Sequence, residues 1–346
     1  MIHSLPSPPL EGEGMGGGDV GAITMGRFLR NSRGMALILT ILIISLIVAL
    51  TLQFNTSMRS DLHAAANLRD GIKLGCIAKS GFNYVLAVLR LDDMSVDSLH
   101  DVWADSKSLS KNSAAQFDEG RFEVKVSDHS GRIQINKLVN EDGKNYNDDQ
   151  KALLTRFLES FGIEGEEADN ILDAIKDWID ADNEVTRFGA EKAYYQALPE
   201  PYLCKNAPIE FLEELLLIRG ISKELFYGSE KSPGISDYIS PHGDGNININ
   251  TADRLVLSSL SDGLKDNPDL VEDMITYRND EDNDLNQINW DARVTYGFVD
   301  KPPLLTTSST YFEIISKGFK GAMAKQVTGM VKRKEEGFDI LSWKIE

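Results

Sequence analysis

From Met35 to Met58 the chain carries no charged side chain and is built chiefly of Leu, Ile, Val and Ala. No other stretch limits the fold so strongly. The run exceeds the roughly 20 residues that carry an α-helix across a bilayer. Lipid offers the backbone no partner other than itself, so a helix is forced there. Arg27, Arg30 and Arg33 precede it. The positive-inside rule then keeps the N-terminus cytoplasmic and sends the body outward. A secretory peptide has a shorter apolar core that ends at a small-x-small site. No such site follows here.

The helical pattern outlasts the membrane. From Ser57 to about Arg90 it becomes amphipathic, with Leu62, Ala65, Ala66, Leu68, Ile72, Leu74, Ile77, Phe82, Val85, Leu86 and Leu89 at helical spacing and no proline. One long helix is expected, half in lipid and half packed on a domain. Phe122–Val126 alternates apolar and polar residues, and so does "RIQIN" after "SDHSG". Together they predict a β-hairpin.

Asp149 to about Asn279 changes character. "QKALLTRFLESFG", "EEADNILDAIKDWID", "PIEFLEELLLIRG", "NTADRLVLSSL" and "PDLVEDMITYRN" read as short amphipathic helices bounded by Asp, Asn, Pro or Gly. The closing stretches "TYFEIISKGFKG", "AKQVTGMVKRK" and "FDILSWKIE" return to strand alternation with one wet face. The expectation is an α+β fold with an antiparallel sheet and a large all-α domain inserted between its strands. Its parts are an extension over residues 1–34 and a membrane half over 35–58. An amphipathic helix with the first strands follows over 59–148, then a helical insert over 149–295 and closing strands over 296–346.

Bulk properties exclude several functions. A formal charge of −18 argues against a general nucleic-acid binder. Two cysteines, Cys76 and Cys204, rule out a disulfide framework or a cysteine-rich zinc site, and leave one bridge or two free thiols open. His3, His63, His100, His129 and His242 are scattered, and HExxH, GxSxG, Walker and strand-borne GxGxxG motifs are absent. With no nucleophile-and-base pair the residues predict no enzyme. "FLEELLLIRGISKELF" has the outline of a helix-hairpin-helix, which can grip phosphate at a helix start. Glu210, Glu213, Glu214 and Glu224 crowd it, however.

Carboxylates supply the best candidate site. Asp180, Asp182, Glu184 and Glu191 stand at the first, third, fifth and twelfth places of an EF-hand-like loop. Hard oxygens with no soft ligand suit Ca²⁺. The sixth place is Val185 where an EF-hand has Gly. A solvated acidic loop is the other reading. Asp280, Asp282, Asp284 and Asp291 form a second run of similar spacing, either a weaker metal site or a wet linker.

A family resemblance gathers on several of these residues. Basic residues, then Gly34, then an apolar run from Met35 resembles the leader of type IV pilins and type II secretion pseudopilins. That likeness implies cleavage by a prepilin peptidase between Gly34 and Met35 and methylation of the new N-terminus. A start at Met25 would give a compact leader. Most members of the family carry Glu at the fifth mature position. Here it is Leu39, as in the K-type minor pseudopilins of type II secretion. "DWIDADNEVTRFGAEKAYY" (Asp177–Tyr195), "NININTA" (Asn246–Ala252) and Ser308–Phe312 resemble the same K type.

The resemblance implies a pilin fold with a helical insert that holds calcium, and a place at the tip of a short fibre in protein export. Expected partners are the I- and J-type minor pseudopilins and through them the major pseudopilin, the peptidase and membrane lipid, with no nucleic acid. Two rival readings are a minor pilin of a type IV pilus or DNA-uptake system and a membrane-anchored periplasmic enzyme.

Overall fold

The computed structural model describes residues 32–230, 232–287, 289–295 and 304–346. The chain divides into two units, residues 1–67 and 68–346. Helix α1 (Ser32–Leu91) runs through the boundary without a break, past both Gly71 and Gly75. In its apolar half the hydroxyls of Thr40, Ser45, Thr51 and Thr56 donate to carbonyls three or four residues back. These four hydroxyls are thereby satisfied without water, as suits a membrane segment.

The expected packing stripe is shorter than its periodicity suggests. Leu62, Leu68 and Ile72 are 60%, 67% and 62% exposed. Burial starts at Leu74 and continues through Ile77, Ala78, Phe82, Val85 and Leu89. From Ile77 onward these side chains meet strand β1 (Arg121–Asp128) and the closing strands through Phe122, Val124, Phe312, Ile314, Val327 and Val331. Fully burying such side chains stabilises by roughly 1.5–3 kcal/mol each. Gly318 makes the approach possible, because a Cβ there would sit 2.6 Å from the Leu74 carbonyl oxygen. Helix α2 (Ser106–Lys111), capped by Asp105, covers the start of β1.

β1 and Ile133–Gln134 do not form the expected hairpin. β1 pairs antiparallel with a strand far along the chain, Arg121 opposite Phe319 and Asp128 opposite Phe312. Ile133–Gln134 (β2) pairs parallel with Ile239–Ser240 in the helical region. Alternation marks a strand but says nothing of its partner, and here the hydrophobic faces select distant ones.

The insert has its own core. Ile133, Leu138, Leu153, Phe157, Leu172, Trp178, Leu215, Phe226, Leu257 and Trp290 belong to one buried cluster. Its helices are α3 (Asp148–Glu159), α4 (Glu166–Ile179), α5 (Lys192–Gln196), α6 (Lys223–Tyr227), α7 (Arg254–Ser259), α8 (Asp262–Asp266), α9 (Pro268–Arg278) and α10 (Trp290–Val294). Asn147, Ser222, Asp253 and Ser261 accept from backbone N–H groups at the starts of α3, α6, α7 and α8. That is the physical reason short polar residues open helices. Two-residue pairings join β3 (Gly228–Ser229) to β4 (Ser232–Pro233), β2 to β5 (Ile239–Ser240), and β6 (Ile247–Asn248) to β7 (Leu305–Thr306).

The chain then closes the main sheet with β8 (Tyr311–Lys320), β9 (Met323–Lys334) and β10 (Gly337–Ile345). Strand order is β1-β8-β9-β10, all antiparallel. Two of the stretches singled out by family resemblance meet at the seam between insert and sheet. Asn248 Nδ2 donates to Ser309 Oγ and to the Asp97 carbonyl. Thr251 and Ser309 hydroxyls both donate to Asp128 Oδ2, at 2.5 and 2.6 Å. A buried network satisfied in this way fixes one arrangement of its elements.

Candidate metal centre

The loop between α4 and α5 spans Asp180 to Glu191, the C-cap of one helix and the N-cap of the next. Two aspartates on α4 shape it. Asp177 accepts from the Thr186 N–H, and Asp173 accepts from the Phe188 N–H and from the Tyr146 hydroxyl. Gly189 is required here, because a Cβ would overlap Asp177 Oδ2. Folded this way, the loop brings Asp180, Asp182 and Glu191 together, with one oxygen of each within 4.8 Å of the others.

Glu184, expected as a fourth member, is not in the group. It is exposed, and its N–H is bound by Asp182 Oδ1. A small turn at Asp182–Glu184 thus replaces the glycine-dependent turn of an EF-hand.

The electrostatics are strained. Asp180 and Glu191 are buried, and Asp180 Oδ1 and Glu191 Oε1 accept no hydrogen bond. Lys176 Nζ donates to the other oxygen of Asp180 at 2.6 Å. Burial pushes the Glu191 carboxyl up to about 7, and the neighbouring charges of Asp177, Asp180 and Asp182 push the same way. Asp177 is raised to about 6, chiefly by burial. Desolvated like charges are costly unless a cation joins them. Two buried oxygens without donors, beside a third carboxylate, fit a hard divalent cation.

The second acidic run does not converge. Asp280, Asp282 and Asp284 are exposed, and Asp280 and Asp284 accept from N–H groups two residues on. Asp291 is buried in α10. The other converging group among the described residues, Asp92, Asp97 and Asp101, already holds a cationic side chain, although Asp97 Oδ1 is buried without a donor. Arg333 pairs with Asp92 and Asp97, while Asp101 accepts from the Ser98 N–H and the Trp103 indole.

One arrangement imitates a catalytic triad. His129 lies between Ser240, at 2.9 Å, and Glu313, at 3.9 Å. Ser240 is fully buried, and its hydroxyl donates to the His242 carbonyl. The group ties His129 and Glu313, at the sheet, to Ser240 of the insert. The helix-hairpin-helix outline resolves into a 3₁₀ turn over Leu212–Leu217 and the short α6. Glu214 there accepts from the Glu210 and Phe211 N–H groups and pairs with Lys205, while Glu210 and Glu213 stay exposed, so the turn presents carboxylates.

At the other end of the chain Gly34, Met35 and Leu39 all lie in α1, with Met35 and Leu39 exposed. Arg27, Arg30 and the possible start at Met25 lie outside the described residues. From Gly34 onward α1 is long and apolar enough to cross a membrane.

A family model described as type II secretion system (T2SS), protein K matches residues 131–228, which include the carboxylate loop. Among curated relatives, the type II secretion system protein K of Aeromonas hydrophila is 30% identical over 208 residues, 57% of this chain and 61% of that protein. The protein K of Pseudomonas aeruginosa is 24% identical over 317 residues, 89% of this chain and 91% of that protein. The chain thus spans about three fifths of the first of these relatives and nearly all of the second. Its fold matches a chain of the crystal structure of the GspK-GspI-GspJ complex from the enterotoxigenic Escherichia coli type 2 secretion system. The TM-score is 0.58 at 17% identity, covering 82% of this chain and 98% of that one.

A long apolar N-terminal helix, an antiparallel sheet and a helical insert between its strands make an α+β, type IV pilin-like fold. Within that fold, the chain is similar to proteins of the type II secretion system protein K family, by a family model over residues 131–228 and by curated relatives of that name.

Proposed function

We propose that this protein is a minor pseudopilin at the tip of a type II secretion pseudopilus, where it nucleates and caps assembly for export of folded proteins. The observation that carries the reading is the presence in one chain of two parts: a helix apolar and long enough to cross a membrane, and a helical region that matches the protein K family model between strands β1 and β8 of an antiparallel sheet. Apolar helices associate side by side in the fibre core. The insert widens the head so that a further copy does not stack above it. Leu39 fits the same end position, since it lacks the carboxylate that would pair with a neighbouring N-terminus.

In this reading a prepilin peptidase cuts between Gly34 and Met35 and the new N-terminus is methylated. The helix stays in the inner membrane with its start cytoplasmic and its body periplasmic. Partners are I- and J-type minor pseudopilins and, through them, the major pseudopilin. Asp180, Asp182 and Glu191 hold a structural Ca²⁺, which neutralises their charge and fixes the loop. Co-expression with a prepilin peptidase tests the processing step. The mature protein should begin at Met35, and Gly34→Leu should leave it longer and uncut. A mature start beyond Phe54 would make it a conventional secretory protein.

A further inference from the structure

Lys176 lies in the last turn of α4, four residues before Asp180, and its side chain is buried. Its ammonium donates to Asp180 Oδ2 at 2.6 Å and to Thr186 Oγ1 at 2.8 Å, and it stands 5.6 Å from the centre of the Tyr146 ring. Asp180 is therefore a shared carboxylate. One oxygen is taken by Lys176 and the other, Oδ1, is buried without a donor, while the residue is one of the group with Asp182 and Glu191. A second lysine, Lys144, reaches Asp182 at 3.9 Å from an exposed position. Only Lys176 is out of water, and only there is a charge weakly screened.

We propose that Lys176 is a built-in counter-cation of this site: it holds the carboxylates together when no metal is bound and weakens the hold on metal when one is. The inference rests on the calcium reading given above. Two physical effects carry it. An ammonium beside Asp180 repels an incoming divalent ion across a short, poorly hydrated distance. It also confines Asp180 to a single free oxygen, so that carboxylate cannot bind the ion through both. In exchange the metal-free loop keeps one of its three negative charges neutralised and stays folded. The insert is thereby set to bind calcium where the ion is abundant, without collapsing where it is scarce. Calcium affinity in such oxygen sites follows ligand charge count and rigidity, and Lys176 changes both.

The test uses the full chain in detergent, the variants Lys176→Met and Lys176→Gln, and Lys144→Met as a control for the exposed lysine. Calcium chloride is titrated calorimetrically, and melting is followed in chelator. Both Lys176 variants should bind calcium at least about tenfold more tightly than wild type and melt lower in chelator, while Lys144→Met stays within about twofold. Lys176→Gln keeps a hydrogen-bonding side chain, so it remains informative if the Met variant folds poorly. Equal or weaker calcium binding by the variants would overturn the inference and leave Lys176 as a residue that only positions Asp180. Chelated variants as stable as wild type would overturn the holding role. Absence of calcium binding in wild type and variants alike would instead overturn the calcium reading itself.

Discussion

Arg333 on β9 and Asp97, just beyond the end of α1, form an ion pair that is wholly out of water, with side-chain exposures of 2% and 0%. The same guanidinium reaches Asp92 at 3.4 Å and the Ser309 carbonyl at 2.8 Å. Asp97 Oδ2 also accepts from the Ser309 N–H at 2.6 Å. The pair thus pins the long helix, the last part of the sheet and the seam to the insert at one point. Removing one partner strands a buried charge, which costs about 3–5 kcal/mol. Arg333→Met should lower the melting point accordingly, at about 2–4 °C per kcal/mol for a domain of this size. Arg333→Met with Asp97→Asn should be markedly less damaging than the sum of the single changes. Additive losses would show that the two residues act independently.

Gly189→Ala should damage the carboxylate loop although it adds only a methyl. The new carbon would overlap Asp177 Oδ2 and stand 2.9 Å from the Asp173 carbonyl oxygen, so α4 or the loop must move. Such overpacking typically costs about 1–3 kcal/mol. Thermal unfolding in chelator should show that loss, and calcium should restore less stability than in wild type. An unchanged melting curve would mean that the loop gives way freely.

Glu191 makes stability depend on pH in a direction unusual for a carboxylate. Its folded value of about 7 lies above the ordinary 4.5, so between the two the folded state holds a proton that the unfolded chain lacks. Stability in chelator therefore falls as pH rises through that window and is lowest above pH 7. His129 acts oppositely. Burial lowers it from 6.5 to about 4, so its contribution is lost as pH falls below 6.5. Comparing wild type with Glu191→Gln cancels the histidine term. At pH 8 in chelator the Gln variant should melt higher than wild type, with the gap closing towards pH 5. A gap independent of pH would show that Glu191 is ionised without cost.

Calcium should raise the melting point of the wild type over chelator, and Asp180→Ala with Glu191→Ala should remove most of the rise. A ligand that binds only the native state stabilises it by mass action. Magnesium should do less, because it keeps its water and demands a tight octahedron. Identical melting in calcium and chelator would leave residues 180–191 as an acidic loop and nothing more.

Local periodicity made the elements legible in the sequence, and contacts at long range were not. The helix from Ser32, the alternation of β8, β9 and β10 and the short capped helices follow from side-chain spacing. The partner of β1 does not, because only the assembled core places Phe122 against α1 and β8. At the site, spacing pointed to Asp180, Asp182 and Glu191, which the fold brings together, and to Glu184, which it leaves outside the group because the loop lacks the EF-hand glycine at Val185. Spacing missed Lys176, Asp173 and Asp177. A signal was present, since Asp173, Asp177 and Asp180 recur at three- to four-residue intervals along one helical face that runs into the loop. The need for Gly189 could not be read without knowing which side chain lies against it.

The most direct test of the central claim is to count this subunit in assembled fibres. The full-length chain would be expressed with its peptidase, the I- and J-type minor pseudopilins and the major pseudopilin, and the isolated fibres quantified by mass spectrometry. A capping subunit with Leu39 and a bulky insert should be present at most once per fibre, bound together with the I- and J-type subunits. Repeated incorporation along the shaft, or fibres that form and hold both partners without it, would contradict the account.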